Sequence, residues 1–289
     1  VKGDRFAIML PNILQYPVAL FGALRLGLVV VNINPLFTSR ELEEQLSDAS
    51  IRAIFVLRNF CAVLSPVIKN TSVEYVITSE LGDLLGFPKS LVVNFLIKHV
   101  KKLVPPYRLP GEIFFRQALR IGQHLKLKSA VVTSSDTAFL QYTGGTTGIS
   151  KGAVLTHRNM VANMEQISAW IYECVDDGED VVITALPLYH IFCLSSNCLT
   201  YMKHGGLNVL ITNPRDMSKF ITELSKWRFT AITGVNTLFN ALLNTAGFND
   251  LDFSRIKLAV GGGMPVQRTV AEKWRTVTGT KIIEGYGLT

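Results

Sequence analysis

The sequence predicts an α/β fold of two mostly parallel sheets with flanking helices. Three observations carry this. Short apolar, β-branched runs alternate with helix-patterned runs over residues 4–78, joined by short connections, as in an open sheet covered on both faces. The same rhythm restarts at Val181 after an irregular middle. Three glycine-rich stretches, at 144–148, 261–263 and 285–287, each follow a predicted strand, and open parallel sheets bind ligands outside the carboxyl ends of their strands.

In chain order, residues 4–10 (DRFAIML) read as a strand with Pro11 and Asn12 as its exit turn. Residues 15–28 have helical apolar spacing, with Gly22 and Ala23 small enough for close packing. Residues 29–34 (VVVNIN) read as a buried parallel strand that Pro35 ends. Thr38 or Ser39 can cap a helix through Leu46, with acidic residues in its first turn. A strand at 51–57, a helix near 60–70 and a strand at 73–78 follow. Residues 90–104 (SLVVNFLIKHVKKLV) form an apolar helix with a basic C-terminal half, stopped by Pro105 and Pro106. Two readings stay open for it: peripheral contact with an anionic membrane, or an ordinary surface helix with cations at its C-terminus. Residues 113–123 look helical, 130–133 loop-like, and 136–142 lead into the first glycine run. A helix spans 159–170, and residues 176–180 (DDGED) read as a solvated acidic turn. The second half alternates strands at 181–185, 207–211, 229–232, 256–260 and 281–284 with helices at 191–204, 218–226, 237–245 and 265–278. The expected division is a first α/β subdomain at 1–170, holding the glycine loop at 142–152, and a second at 171–289.

The 289 residues suffice for two domains, and 48% hydrophobic content argues against disorder. The net charge of +7 fits nucleic acid, a membrane surface or anionic small molecules. With no recognised nucleic-acid motif, small anions fit best and the membrane second, and no nucleic-acid partner is expected. Cys61, Cys174, Cys193 and Cys198 are sparse and unpaired, as for free thiols in a reducing cytoplasm, and Cys193 reads as a packing residue. No apolar run reaches the roughly 18 residues of a spanning helix. The expected location is cytoplasmic, with the inner membrane face as an added option.

The densest chemistry lies in QYTGGTTGISKGAVL, residues 141–155. Gly144, Gly145 and Gly148 free backbone N–H groups to face a ligand. Thr143, Thr146, Thr147 and Ser150 add hydroxyls, and Lys151 a point charge before Gly152. This suits a polyphosphate, although the spacing is not that of a Walker A loop. The alternative, a flexible glycine-rich turn, fits so dense a run less well.

TGGTTGISKGAVLTH resembles the signature loop of the adenylate-forming enzymes: acyl-CoA synthetases, luciferases and nonribosomal adenylation domains. LPLYHIF (186–192), ITGVNTLF with VGGGMP (232–239, 260–265) and EGYGLT (284–289) match the same family in order. Together they are most similar to bacterial long-chain fatty-acid–CoA ligases. The resemblance implies ATP contacts from Tyr142, Thr143, Gly144, Gly145, Thr146, Thr147, Gly148, Ile149, Ser150, Lys151 and Gly152. It adds Gly261, Gly262, Gly263, Glu284, Gly285, Tyr286 (stacking on adenine), Gly287 and Thr289 (at phosphate). It implies Mg²⁺, with Thr143 as one side of the metal site, and CoA as co-substrate. Lys151 would neutralise charge at phosphorus, and His190 would stand near the substrate carboxylate. The glycine stretches are expected to converge on one cleft.

Residues 184–201 and 229–243, similar to the family's pocket regions, contain no Asp, Glu, Lys or Arg. An amino-acid substrate would need a partner for its ammonium group, whereas an acyl chain suits such stretches. Val235, Leu238 and Phe239 are the candidate pocket lining, with a plain core as the competing reading. The expectation is ATP-dependent activation of a long-chain fatty acid to acyl-AMP and then acyl-CoA. The alternatives are an aryl- or short-acyl-adenylating enzyme, or a non-catalytic nucleotide- or membrane-binding module. The chain starts without Met and stops inside EGYGLT, so it is expected to be part of a large N-terminal domain, without its later part and C-terminal lid and weakly active at best.

Overall fold

Strand β1 (Arg5–Met9) shows why the first sheet is covered on both sides: Phe6, Ala7, Ile8 and Met9 are all buried although successive side chains point to opposite faces. The computed structural model describes residues 1–127, 130–143 and 150–289. These form two compact units, Val1–Asn159 and Met160–Thr289. The helix His157–Ile171 runs through the division.

The first unit adds β2 (Val29–Asn32), β3 (Ala53–Leu57), β4 (Tyr75–Ser79), β5 (Ile113–Phe114), β6 (Thr137–Thr143) and β7 (Lys151–Thr156). The sheet order is β5-β4-β3-β1-β2-β6-β7. Every pairing is parallel except β6 with β7, which is antiparallel. On one face Ala7, Met9, Val31, Ile54 and Val56 pack with Leu42, Leu46, Cys61 and Leu64 from helices Ser39–Asp48 and Cys61–Leu64. On the other, Phe55 stacks on Phe115 at 5.2 Å between ring centroids. Thr38 is the cap of helix Ser39–Asp48: its Oγ1 accepts from Glu41 N, and Glu41 Oε2 accepts from Thr38 N at 2.8 Å.

Some elements depart from the pattern-based reading. The helix expected near 60–70 is broken into 3₁₀ turns Arg58–Phe60 and Ile68–Asn70 around Cys61–Leu64. Residues 113–123 begin as strand β5 before the helix Phe115–Gln123. The helix expected at 90–104 runs as Lys89–Phe95 and widens to a π-helix over Leu96–Val100. Gly22 is exposed, and Ala23 makes the close packing instead. β7 has no counterpart in that reading, because a six-residue edge strand half open to solvent lacks the apolar run that marked the buried strands.

The second unit is a five-stranded parallel sheet, β12-β11-β10-β8-β9. Its strands are β8 (Val181–Thr184), β9 (Leu207–Leu210), β10 (Ala231–Gly234), β11 (Leu258–Gly262) and β12 (Ile282–Gly285). Ile183, Ile232 and Ala259 face a core of Phe220, Leu224, Phe239, Leu242, Phe248 and Trp274. Val182, Ala231 and Leu258 face the opposite side with Tyr201. Helices Met217–Leu224, Asn236–Leu243 and Arg268–Thr278 supply the first of these layers. Among the described residues no helix is long and apolar enough to cross a membrane.

Candidate functional site

In the first unit the glycine run joins β6 to β7, so it closes an antiparallel hairpin at the sheet edge. Gly144, Gly145, Thr146, Thr147, Gly148 and Ile149 lie outside the described residues. The root of the hairpin is well defined. Thr143 pairs with Lys151 and Tyr142 with Gly152. Ser150 Oγ donates to the Thr143 carbonyl at 3.0 Å. The Tyr142 hydroxyl donates to Asp48, and its pKa is raised by burial first and by that carboxylate second. A Cβ at Gly152 would meet the Tyr142 ring at 3.1 Å, so glycine there leaves room for the ring. Lys151 is exposed.

Below the hairpin runs a buried polar chain absent from the sequence reading. Tyr16 OH donates to Asn32 Oδ1 at 2.7 Å, and Asn32 Nδ2 donates to Gln141 Oε1 at 3.0 Å. Gln45 Nε2 donates to the Asn32 carbonyl at 3.2 Å. The chain ties β6, one residue before Tyr142, to β2 and two helices. Its only sequence signal was Asn or Gln inside otherwise apolar strands.

In the second unit the predicted residues gather at the carboxyl ends of adjacent strands. Gly234 on β10 pairs with Gly261 on β11, and Gly262 pairs with Gly285 on β12. The three glycines 261–263 differ in role. A Cβ on Gly261 would stand 2.5 Å from Val266 Cγ2, and one on Gly262 would stand 2.9 Å from the Phe192 ring. Both are needed for packing. Gly263 has φ +74°, with Val235 at 3.7 Å the nearest atom to a built Cβ, so its backbone is the one open to a ligand. Glu284 Oε2 accepts from Val266 N at 3.0 Å, and Asn236 Oδ1 from Gln267 N at 2.9 Å, holding the turn after the glycines. Tyr286 is 93% exposed, and Gly287 has open space around it. Thr289 is half-buried.

His190 caps the short helix Ile191–Cys193, its Nδ1 accepting from Phe192 N at 3.3 Å. That bond requires a bare Nδ1 and puts the neutral ring's proton on Nε2. Desolvation pushes its pKa below the ordinary histidine value, in the same direction. The helix widens to π form over Leu194–Leu199, where buried Asn197 bridges strands. Asn197 Nδ2 donates to the Ile183 carbonyl and to Thr184 Oγ1, both at 3.2 Å, and its Oδ1 accepts from Thr233 Oγ1 at 2.8 Å. Cys193 is buried and its thiol donates to the Leu186 carbonyl, with burial raising its pKa, as befits a packing residue.

Of the candidate pocket residues, Phe239 is fully buried edge-on to Trp274 at 4.8 Å, and Leu238 lies in the same core. Val235 is half-buried beside Gly263. Among the described residues no group of three or more His, Cys, Asp or Glu could hold a metal ion. The Thr143 carbonyl accepts from Ser150, which leaves its side-chain hydroxyl as the group that would stand beside a metal.

The AMP-binding enzyme family matches residues 1–289. The chain is 57% identical over its whole length to a long-chain-fatty-acid–CoA ligase of Yersinia pestis and 32% identical to one of Bacillus subtilis. It spans about half the length of these relatives, 51% in each case. Among solved structures it is similar to an anthranilate CoA ligase in complex with anthranoyl-AMP, with a TM-score of 0.82 at 21% identity. That match covers 99% of this chain and 50% of the other. It is also similar to a long-chain-fatty-acid–CoA ligase from Archaeoglobus fulgidus, with a TM-score of 0.74 at 22% identity, covering 99% of this chain and 52% of the other.

Proposed function

The chain belongs to the AMP-binding enzyme family, and from that premise we propose that it is the nucleotide- and acid-binding part of a long-chain fatty-acid–CoA ligase. In this reading the fatty carboxylate attacks the α-phosphate of ATP, the bond to pyrophosphate breaks, and acyl-AMP forms. The thiol of CoA then displaces AMP, giving acyl-CoA. The observation that carries the reading is 57% identity along the full chain to a ligase of that name.

Each group has a task in this reading. The 143–152 hairpin takes the phosphates: loop amides and hydroxyls donate to phosphate oxygens, and Lys151 offsets negative charge during attack. Magnesium, where bound, would withdraw charge from the phosphates, and Thr143 is the residue of this chain proposed beside it. Gly263 and Gly285 offer backbone to the nucleotide, and exposed Tyr286 offers a ring to adenine. His190, neutral and with its Nε2 proton free to donate, is set to hydrogen-bond a substrate carboxylate oxygen. Val235, half-buried beside Gly263 and backed by the core that holds Leu238 and Phe239, with no charged residue among 229–243, favours a long apolar tail. Each buried methylene contributes about 0.8 kcal/mol.

Titration calorimetry with AMP tests the nucleotide half. Tyr286→Ala should weaken binding about 10-fold while leaving the melting temperature unchanged, because the ring is already in solvent. Equal AMP affinity in the two proteins would remove Tyr286 from the site.

A further inference from the structure

Helix Lys89–Phe95 and its π-helical continuation Leu96–Val100 are turned the wrong way for a soluble protein. Only Ser90 is buried in the first and nothing in the second. The inward side is narrow: Ser90 is buried, and Val93, Asn94 and Ile97 are half-buried. Asn94 Oδ1 accepts from Gly82 N at 2.7 Å, and its Nδ2 donates to Asp83 Oδ1 at 3.3 Å. The outward side is apolar. Phe87, Leu91 and Phe95 recur every fourth residue and are 85%, 57% and 59% exposed. Leu96, Val100 and Leu103 extend the same exposed region. Single exposed apolar residues are ordinary, but a run of this density marks a surface that meets something.

Charge identifies what it meets. Lys89, Lys98, Lys101 and Lys102 are exposed around this face, and residues 84–111 contain no Asp or Glu. A protein partner's apolar groove would explain the aromatics but not so one-sided a cationic rim. A lipid bilayer with anionic headgroups explains both, since apolar side chains enter the acyl boundary while lysines reach the phosphates. The platform is braced: Arg116 donates to the Asp83 carbonyl at 2.9 and 3.2 Å, and Arg58 bonds Tyr107 and Glu80, each at 2.7 Å, on either side of the segment.

We propose that residues 87–103 are a membrane-docking surface for bilayers carrying anionic phospholipid, with Phe87, Leu91 and Phe95 inserted and Lys98, Lys101 and Lys102 on the headgroups. This surface stands independently of the ligase reading, because the assay contains neither nucleotide nor fatty acid.

The test is sedimentation of the 289-residue chain with phosphatidylcholine vesicles, with and without phosphatidylglycerol. The chain should pellet with the anionic vesicles only, and added salt should release it. Replacing Lys98, Lys101 and Lys102 by Gln should lower partitioning on the order of 100-fold. Phe87→Ser with Leu91→Ser and Phe95→Ser should abolish it at any salt. All six side chains are exposed, so a thermal melt should find every variant as stable as the parent. Failure of the parent to pellet, or equal pelleting of all variants, overturns the proposal. So does a concentration-dependent dimer that the Phe87 variant dissolves, which would make this face a contact between copies.

Discussion

At the residue scale, the glycines at the strand ends show how one residue type serves two purposes. Gly261 and Gly262 are glycine because Val266 and Phe192 occupy the space a Cβ would need, whereas Gly263 and Gly287 have open surroundings. Sequence reasoning could see that three glycines followed a strand, but not which neighbour filled each gap, since Phe192 lies about seventy residues away in the chain. Gly261→Ala should therefore cost about 2 kcal/mol in urea denaturation, as overpacking does. Gly287→Ala should cost less than about 0.5 kcal/mol, the range of a surface change. His190 gives a pH prediction with a definite sign. Its folded pKa lies below the unfolded value of 6.5, so the folded state binds fewer protons in between. The stability this confers is present above that value and is lost as pH falls through the folded pKa. Denaturation midpoints between pH 7.5 and 5 should fall less steeply for His190→Gln than for the parent.

At the element scale, buried parallel strands were the most legible part of the chain. Both faces of β1, β2 and β3 are covered, so they read as continuous apolar runs. The capped helix Ser39–Asp48 was legible too, because Thr38 and Glu41 carry their own local chemistry. Thr38→Ala should lower stability by about 1 kcal/mol, read from urea midpoints at an unchanged slope. Elements whose form depends on distant partners were not legible. The edge strand β7 exists because β6 offers it a ladder, and the π-helix at 194–199 gives Asn197 its reach to β8 and β10. Asn197→Ala would leave the Ile183 carbonyl and Thr233 hydroxyl without this partner in a buried site. It should cost about 3 kcal/mol, measured by denaturation, and a loss under about 0.5 kcal/mol would show that the bridge does not hold the strands.

At the scale of the whole molecule, the α/β class and both sheets followed from the alternation of strand and helix. The family followed from four short stretches read in order. The clustering of Gly261, Gly262 and Gly285 at adjacent strand ends was legible, but the separate task of each residue was not. Leu238 and Phe239, chosen as pocket lining for their apolar character, take their place in the core around Trp274. The apolar helix after Lys89 was ambiguous in sequence, between peripheral membrane contact and an ordinary surface helix, because the pattern alone did not show which of its apolar side chains stay exposed, as Leu91 and Phe95 do. The most direct test of the central claim is a thermal-shift series with non-hydrolysable acyl-adenylate mimics from acetyl through palmitoyl, with benzoyl included. Binding to the native state raises the melting temperature by mass action, so turnover is not needed. A shift that grows with acyl length, and is small for benzoyl, is the predicted result. An equal shift for AMP and every mimic would contradict it, leaving a nucleotide site with no long-chain acid beside it.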